Sequence, residues 1–417
     1  MKEKIIAFFA DENKRKNFIF ICSVGLALAL IIIIPLLLPK GGGEKQQYKT
    51  YSFNIFDTIT TIVGYEAEDE EFGETSKEVL DLLGEYHRLF DIYNEYDGIN
   101  NLCTINKLVD GEHPVVKVDR KIIDMLLYAK EMHTLTGGKM NVAMGSVLSI
   151  WHDYRTAGID NPKDAELPPM DELKAAAEHT NIDDVIIDEE SSTVWLRDPK
   201  MKLDVGAFAK GYAVEMAARA LADMGKTGYV VNVGGNIRTV GERADGSKWK
   251  TGIENPTGDE EVPYIEYIGL SDEAIVTSGS YQRFYTVVVS AECSKCEWVY
   301  DRSIGIPEQN VAAGTLPSRL TSENKCPLCD SRIKRIINDF HHIIDPDTLM
   351  PAKGLLSVSI ICSDSGMGDG LSTALFCMSV EDGMALINSL DGVEAIWVDE
   401  NEVKHYSNNF KDYLFGE

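Results

Sequence analysis

The stretch Met201–Val240 reads MKLDVGAFAK GYAVEMAARA LADMGKTGYV VNVGGNIRTV, and its punctuation decides the layout of the rest. A short apolar strand ends at Leu203-Asp204, and Gly206 permits a tight turn. From Lys210 a helix carries Val214, Ala217, Ala218, Leu221 and Met224 on one stripe, the period of an amphipathic helix. Gly225 and Gly228 stop it. Tyr229–Val233 then reads as a buried strand running into Gly234-Gly235. Two glycine-bearing turns near one edge of a sheet can offer backbone amides to a phosphate, though the same glycines would also serve a plain α/β crossover.

Outward from this stretch, strands and helices are interspersed in the manner of an α+β protein. Tyr51–Tyr65 alternates apolar and polar residues and reads as a strand with Phe56-Asp57-Thr58 inside it. Ser76–Tyr93, Lys121–Leu135 and Leu167–His179 read as helices, and Ile182–Leu196 as a hairpin. Asn141–Trp151 is small and apolar, broken by Gly145. Trp249–Glu254, Tyr264–Leu270 and Ala274–Thr277 are strand-like, with a turn at Ser278–Tyr281 and a further strand from Arg283. Strand character resumes at Ile336–Ile344 and Leu356–Cys362, followed by helices over Asp369–Met378 and Glu381–Leu390 and a last strand at Val393–Val398.

The chain has 417 residues and a formal net charge of -27, so nucleic acid is excluded as a natural partner of the main body. Its first forty residues are different. Phe18–Leu38 is a nearly unbroken apolar run long enough to cross a bilayer. Lys2, Lys4, Lys14, Arg15 and Lys16 precede it, which places the N-terminus in the cytoplasm and everything after Lys40 outside. The expected organisation is a cytoplasmic tail (1–17), a membrane signal anchor (18–39), a linker (40–50) and a body in two parts (51–289 and 335–417). Between the two parts lies a cysteine-bearing insert (290–334).

Several side chains could carry chemistry. Asp369 and Thr373 are four apart, which stacks a carboxylate and a hydroxyl on one helix face and suits a hard cation such as Mg²⁺. Asp369 as a plain helix cap fits the same spacing. His342, at a strand end, could act as a base near neutral pH, or simply bond a backbone carbonyl. Lys210 at a helix start opposes the helix dipole, a placement that an anionic ligand would relieve. Cys293, Cys296, Cys326 and Cys329 form two C-x-x-C knuckles suited to tetrahedral sulfur coordination of Fe or Zn, with two disulfides as the alternative. Cys22, Cys103, Cys362 and Cys377 stand alone as small hydrophobes.

The motifs LDVGAFAKGYAVE, NVGGNIR, TSGSYQRFY, HHIIDPDTLMPA and DGLSTALF occur in the order of the FAD:protein FMN transferase (ApbE) family, which the chain resembles from Tyr51 to Glu417 outside the insert. The resemblance implies an enzyme that uses FAD and Mg²⁺, transfers FMN to a threonine hydroxyl of an extracytoplasmic or membrane electron-transport protein, and releases AMP. Asp369, Thr373 and the carbonyl of Ala207 match the family's metal ligands, and His342 its proposed base or phosphate partner. Lys139, Met140, Asn141, Asp204 and Lys210 match flavin-contacting positions, as do Phe56 and Tyr93. Gly234, Gly235, Ser278, Gly279 and Ile344 fall in the matching motifs and are expected to bind the cofactor, with His342 and Asp369 as the catalytic pair. Asn236 and Asn141 stand where Asp is common, and Leu349-Met350 replaces a glycine-bearing turn. The insert is similar to rubredoxin in CSKCEWVYD, Gly305, Pro307, AAGT and CPLCD, with Glu297 and Asp330 at usual glycine positions. FAD hydrolysis, and flavin- and iron-based electron transfer without turnover, are the competing functions.

Overall fold

The computed structural model describes residues 45–296, 298–301, 325–326 and 329–415. The expected anchor (18–39), its tail, and Glu297, Gly305, Pro307 and Gly314-Thr315 of the insert lie outside the described residues. Among the described residues no helix is long and apolar enough to cross a membrane.

The elements follow one another as β1 (Gln46–Ile55), β2 (Thr58–Glu66), α1 (Asp69–Phe90), α2 (Leu102–Asn106), β3 (Val116–Lys117), α3 (Arg120–Leu135), α4 (Gly145–Asp160), α5 (Met170–Ala177), β4 (Val185–Asp188) and β5 (Thr193–Leu196). Then come α6 (Ala209–Asp223), β6 (Tyr229–Val233), β7 (Asn236–Val240), β8 (Trp249–Glu254), β9 (Tyr264–Leu270), β10 (Ala274–Gly279), β11 (Phe284–Cys293) and β12 (Val299–Asp301). The last are β13 (Ile333–His341), β14 (Leu355–Cys362), α7 (Ser365–Phe376), α8 (Val380–Ile387), β15 (Glu394–Asp399) and β16 (Lys404–Tyr406). Eight strands form one sheet in the order β1-β2-β6-β7-β10-β14-β15-β16, every neighbouring pair antiparallel. The α+β class therefore holds.

The main core lies between this sheet and the helices that cover it. Val214, Ala217, Ala218 and Leu221 of α6 are buried in it, together with Val231 of β6 and Leu371 of α7. Helices α6 and α7 cross closely because Gly211 has no side chain: a Cβ there would lie 2.3 Å from the carbonyl oxygen of Ser365 and 2.5 Å from Cβ of Asp369. Gly211 N–H instead donates to Asp369 Oδ2 at 2.8 Å. One glycine thus both permits the crossing and orients a candidate metal ligand.

Several local expectations are corrected. The described end of the expected linker (40–50) is not linker, since residues from Gln46 on belong to β1, which pairs with β2 from Gln46↔Glu66. Tyr51–Tyr65 is not one strand but a hairpin, turned by Phe56 and Asp57 at φ 50° and 51°. That is the conformation of a primed hairpin turn, here without its usual glycine or asparagine. Leu203-Asp204 does not end a strand. Its backbone is held by loops, with Leu203 N–H donating to Asn106 Oδ1 at 2.7 Å and Asp204 N–H to the Val142 carbonyl at 2.8 Å. Gly145 begins a helix rather than breaking a segment, since a Cβ there would meet the Lys202 carbonyl oxygen at 2.5 Å. Strand β10 runs through Ser278 and Gly279, so no turn begins there. Helix α7 starts at Ser365 with Asp364 as its cap, its side chain accepting from Met367 N–H, which removes the capping role from Asp369.

Strand β11 pairs with β13 from Phe284↔His341 to Cys293↔Ile333, with an irregularity between Val288 and Ser290, and β12 adds to its far end. The insert is thus the tip of a ribbon whose base returns to the body.

Candidate active site

A cleft of about 630 Å³ opens where α6, the Gly234-Gly235 turn, the β1–β2 turn and the base of the ribbon meet. Its walls include Tyr93, Lys139, Met140, Asn141, Asp204, Ala207, Lys210, Gly234, Gly235, His342, Ile344 and Thr373, all residues singled out in the sequence. Gly234 and Gly235 turn β6 into β7 at φ 57° and 95°, and a Cβ on Gly234 would strike Thr58 Oγ1 at 2.6 Å. The glycine pair therefore keeps the cleft floor thin beside Thr58.

Behind this wall lie the candidate metal ligands. Thr373 Oγ1 lies 3.2 Å from the carbonyl oxygen of Ala207, so one turn of α7 presents its hydroxyl to the loop before α6. Asp369, a turn earlier on α7, is 5% exposed, and burial raises its carboxyl pKa. Lys210 Nζ stands 3.8 Å from Asp369 Oδ2 and opposes that shift. The Asn236 amide is 3.5 Å from the same oxygen, while its own Oδ1 is buried with no hydrogen-bond partner among the described residues. Carboxylate, hydroxyl and carbonyl oxygens are the donors that a hard divalent cation prefers. The residues present fit Mg²⁺.

On the ribbon side, His342 Nδ1 is buried with no hydrogen-bond partner among the described residues, and its pKa is lowered to about 3, first by burial and then by Arg283 and Arg155. His341 is different in kind: its Nε2 bonds the Ala352 carbonyl at 2.8 Å and its Nδ1 accepts from Ile343 N–H. Arg155 and Arg283 both line the cleft, and among the described residues no ion pair joins either to a carboxylate. Arg155 meets His152 Nδ1 at 3.2 Å and has its pKa lowered by burial.

The remaining expected residues have definite partners. Lys139 Nζ is held at 2.8 Å by both Asp345 and Asp347. Asn141 accepts from Ala143 N–H at 2.9 Å and donates to the Thr180 carbonyl at 2.9 Å, so it shapes its own loop. Asp204 accepts from Gly206 N–H at 2.8 Å, and burial raises its pKa. Tyr93 is 61% exposed at the cleft mouth, its ring 5.3 Å from that of His152. Leu349 adopts φ 60°, the conformation a glycine would favour, and its carbonyl accepts from Trp151 Nε1 at 2.9 Å.

Phe56, Ser278 and Gly279 are not brought to the cleft. Phe56 turns its ring edge to His87, 5.6 Å away, and its N–H donates to His87 Nδ1. Ser278 bonds Ser372 at 2.8 Å between β10 and α7. Arg155, Arg283, Asp57, Thr58, Asn232 and His152 line the cleft without having been anticipated. Arg283 sits in the TSGSYQRFY motif and could have been found there. Arg155 lies mid-helix among polar residues and carries no local signal.

A cleft of this size, walled by Lys139, Arg155, Lys210 and Arg283 and backed by oxygen donors, has the make-up of a nucleotide-using enzyme's site. The chain belongs to the ApbE family, whose sequence profile matches residues 56–319 and 331–397. It is 26% identical over 324 residues to the FAD:protein FMN transferase of Klebsiella pneumoniae, covering 75% of this chain and 82% of that one. The FAD:protein FMN transferase of Treponema pallidum is 28% identical over 302 residues, 69% of this chain and 68% of its own length. In structure the chain is similar to the ApbE protein of Thermotoga maritima, with a TM-score of 0.66 at 25% identity, covering 89% of this chain and all of that one.

Proposed function

We propose that this ApbE-family enzyme, a flavin transferase, moves FMN from FAD to a threonine hydroxyl of an acceptor protein and releases AMP. The observation that carries the reading is that one cleft brings Arg155, Arg283 and Lys210 together with the oxygens of Ala207 and Thr373, with the Asp369 carboxylate buried beside Lys210. Arg155 and Arg283, which no carboxylate pairs among the described residues, are costly in a partly buried cleft unless an anion joins them, and the pyrophosphate of FAD is such an anion. Held by Asp369, Thr373 and the Ala207 carbonyl, Mg²⁺ would supply charge neutralisation at that pyrophosphate.

The step forms a bond from the threonine oxygen to the FMN-side phosphorus and breaks the bridging P–O bond, whose electron pair leaves with AMP. The hydroxyl proton needs an acceptor. His342 is neutral at pH 7, burial and the two arginines holding its pKa to about 3, and its Nδ1 has no competing partner among the described residues. A bound pyrophosphate offsets the arginine charges and raises the imidazole's proton affinity, so the base strengthens once substrate is present. Lys210 and the arginines orient the phosphates, while Tyr93 at the mouth offers a face for the isoalloxazine ring. Incubation with FAD, Mg²⁺ and an acceptor, followed by mass spectrometry, tests the reading: covalent FMN on a threonine with stoichiometric AMP is expected. Free FMN would make the enzyme a pyrophosphatase, and retained FAD an electron carrier.

The acceptor would meet the enzyme outside the cytoplasmic membrane, where residues 18–39 would tether it. The support is the length of that apolar run and the lysines and arginine ahead of it. Protease added to intact cells, with any outer barrier opened, should digest the body beyond Lys40. Full protection would reverse this orientation.

A further inference from the structure

At the tip of the ribbon, the Sγ atoms of Cys293, Cys296, Cys326 and Cys329 all lie within 4.8 Å of one another. Cys293 and Cys329 stand 3.4 Å apart, and Cys296 and Cys326 3.5 Å apart. A disulfide needs about 2 Å. Four thiolates on one ion with bonds of about 2.3 Å stand about 3.8 Å apart, close to the spacing here. The amides of Lys295 and Cys296 both donate to Cys293 Sγ, at 3.3 and 3.4 Å, the kind of outer bond that orients a ligating sulfur. Asp330, just past the second knuckle, sits at φ 59° and donates its N–H to the Cys326 carbonyl at 2.9 Å. A left-handed residue there closes the knuckle and turns Cys329 towards the other three.

The apolar packing around these sulfurs is slight. Ala291, Trp298, Cys326 and Ile333 are its buried members. The base of the ribbon has a different core, in which Tyr285, Val287 and Phe340 pack with Trp151. Ile336 and Ile337, between the two, are 54% and 50% exposed. The ribbon's nine paired positions span about 30 Å at ~3.3 Å per residue, with the sulfurs at one end and Arg283 and His342 beside the other.

We infer that Cys293, Cys296, Cys326 and Cys329 hold one thiophilic metal ion, zinc or iron, as the core of the ribbon tip, and that this ion takes no part in the flavin chemistry. A module with so few buried side chains needs such a centre to fold. The base does not need it, because Trp151 and Phe340 hold it independently.

The test uses the full chain, purified without chelator. Metal analysis should give about one zinc or iron per chain, separate from any magnesium. Iron would colour the oxidised protein through sulfur-to-metal charge transfer and bleach on reduction, whereas zinc would leave it colourless; either supports the site. A Cys326→Ser/Cys329→Ser variant should retain less than about a tenth of the metal. Its tryptophan emission should shift to the red as Trp298, 3% exposed in the parent, meets water. Its FMN transfer should stay within about threefold of the parent's. A metal-free parent with disulfides mapped to Cys293–Cys329 and Cys296–Cys326 overturns the proposal. Loss of transfer in a variant that keeps its main fold overturns the separation from the active site. The metal and fluorescence measurements stand whether or not the transferase reading does.

Discussion

An Asp369→Asn enzyme should fold as the parent does and transfer FMN at least about a hundredfold more slowly. The amide keeps the shape of the side chain and can still accept from Gly211 N–H, 2.8 Å away in the parent. What it removes is the negative charge. Lys210, 3.8 Å off, loses its counter-charge, and the Ala207–Thr373 oxygen set loses its one anionic member. Losing one preorganised electrostatic contact at a reacting centre costs about 3–4 kcal/mol, or 10²–10³ in rate. Stability should change little, because burial already penalises the ionised form of Asp369. A thermal midpoint within a few degrees of the parent's, together with transfer rates across a Mg²⁺ series, decides the matter. Parental rates at limiting Mg²⁺ would remove Asp369 from the metal site. Thr373→Ala should be milder, since it withdraws a neutral donor.

The second large effect is expected from Arg155→Met with Arg283→Met. Each charge-assisted bond to phosphate is worth about 1.5–3 kcal/mol, so kcat/KM for FAD should fall by about a thousandfold. The same change acts on His342, whose proton affinity is lowered first by burial and next by Arg283 and Arg155. With both charges gone its pKa should rise from about 3 part of the way towards the ordinary 6.5, a shift that imidazole proton NMR would follow. The sign for stability follows from linkage. The unfolded chain binds this proton near pH 6.5 and the folded parent only near 3, so the residue favours the fold above about 6.5 and does so progressively less as pH falls to 3. In the double variant that loss is smaller. An unchanged NMR titration would mean that the arginines do not face His342 as described.

Much of this site was legible because its residues sit where local sequence forces one geometry. The glycines of Met201–Val240 announced a helix end and a hairpin turn, and positive φ at Gly225, Gly228, Gly234 and Gly235 is the physical reason. Asp369 and Thr373, four apart on α7, could only share a face. The errors have an equally local origin. Phe56-Asp57 makes a left-handed turn with no glycine in it and a bulky Phe at its first position, so two strands read as one. Gly145 read as a breaker because the demand it answers, the close approach of Lys202, comes from a segment far along the chain. Arg155 reaches the cleft through tertiary packing alone. Ser278 and Gly279 carried family likeness, but both lie in β10, where Ser278 bonds Ser372 of α7.

The pairing of β11 with β13 ends at Cys293 and Ile333, which face each other across the ribbon. Cross-strand neighbours lie about 5 Å apart, and the entropy of closing a loop grows only slowly with its length. The tip is therefore a graft site. A domain whose termini lie side by side could replace the knuckles, whether a fluorescent reporter or an affinity handle. The geometry that fixes Arg283 and His342 would carry through unaltered, because it is set by the Tyr285–Phe340 end of the ribbon.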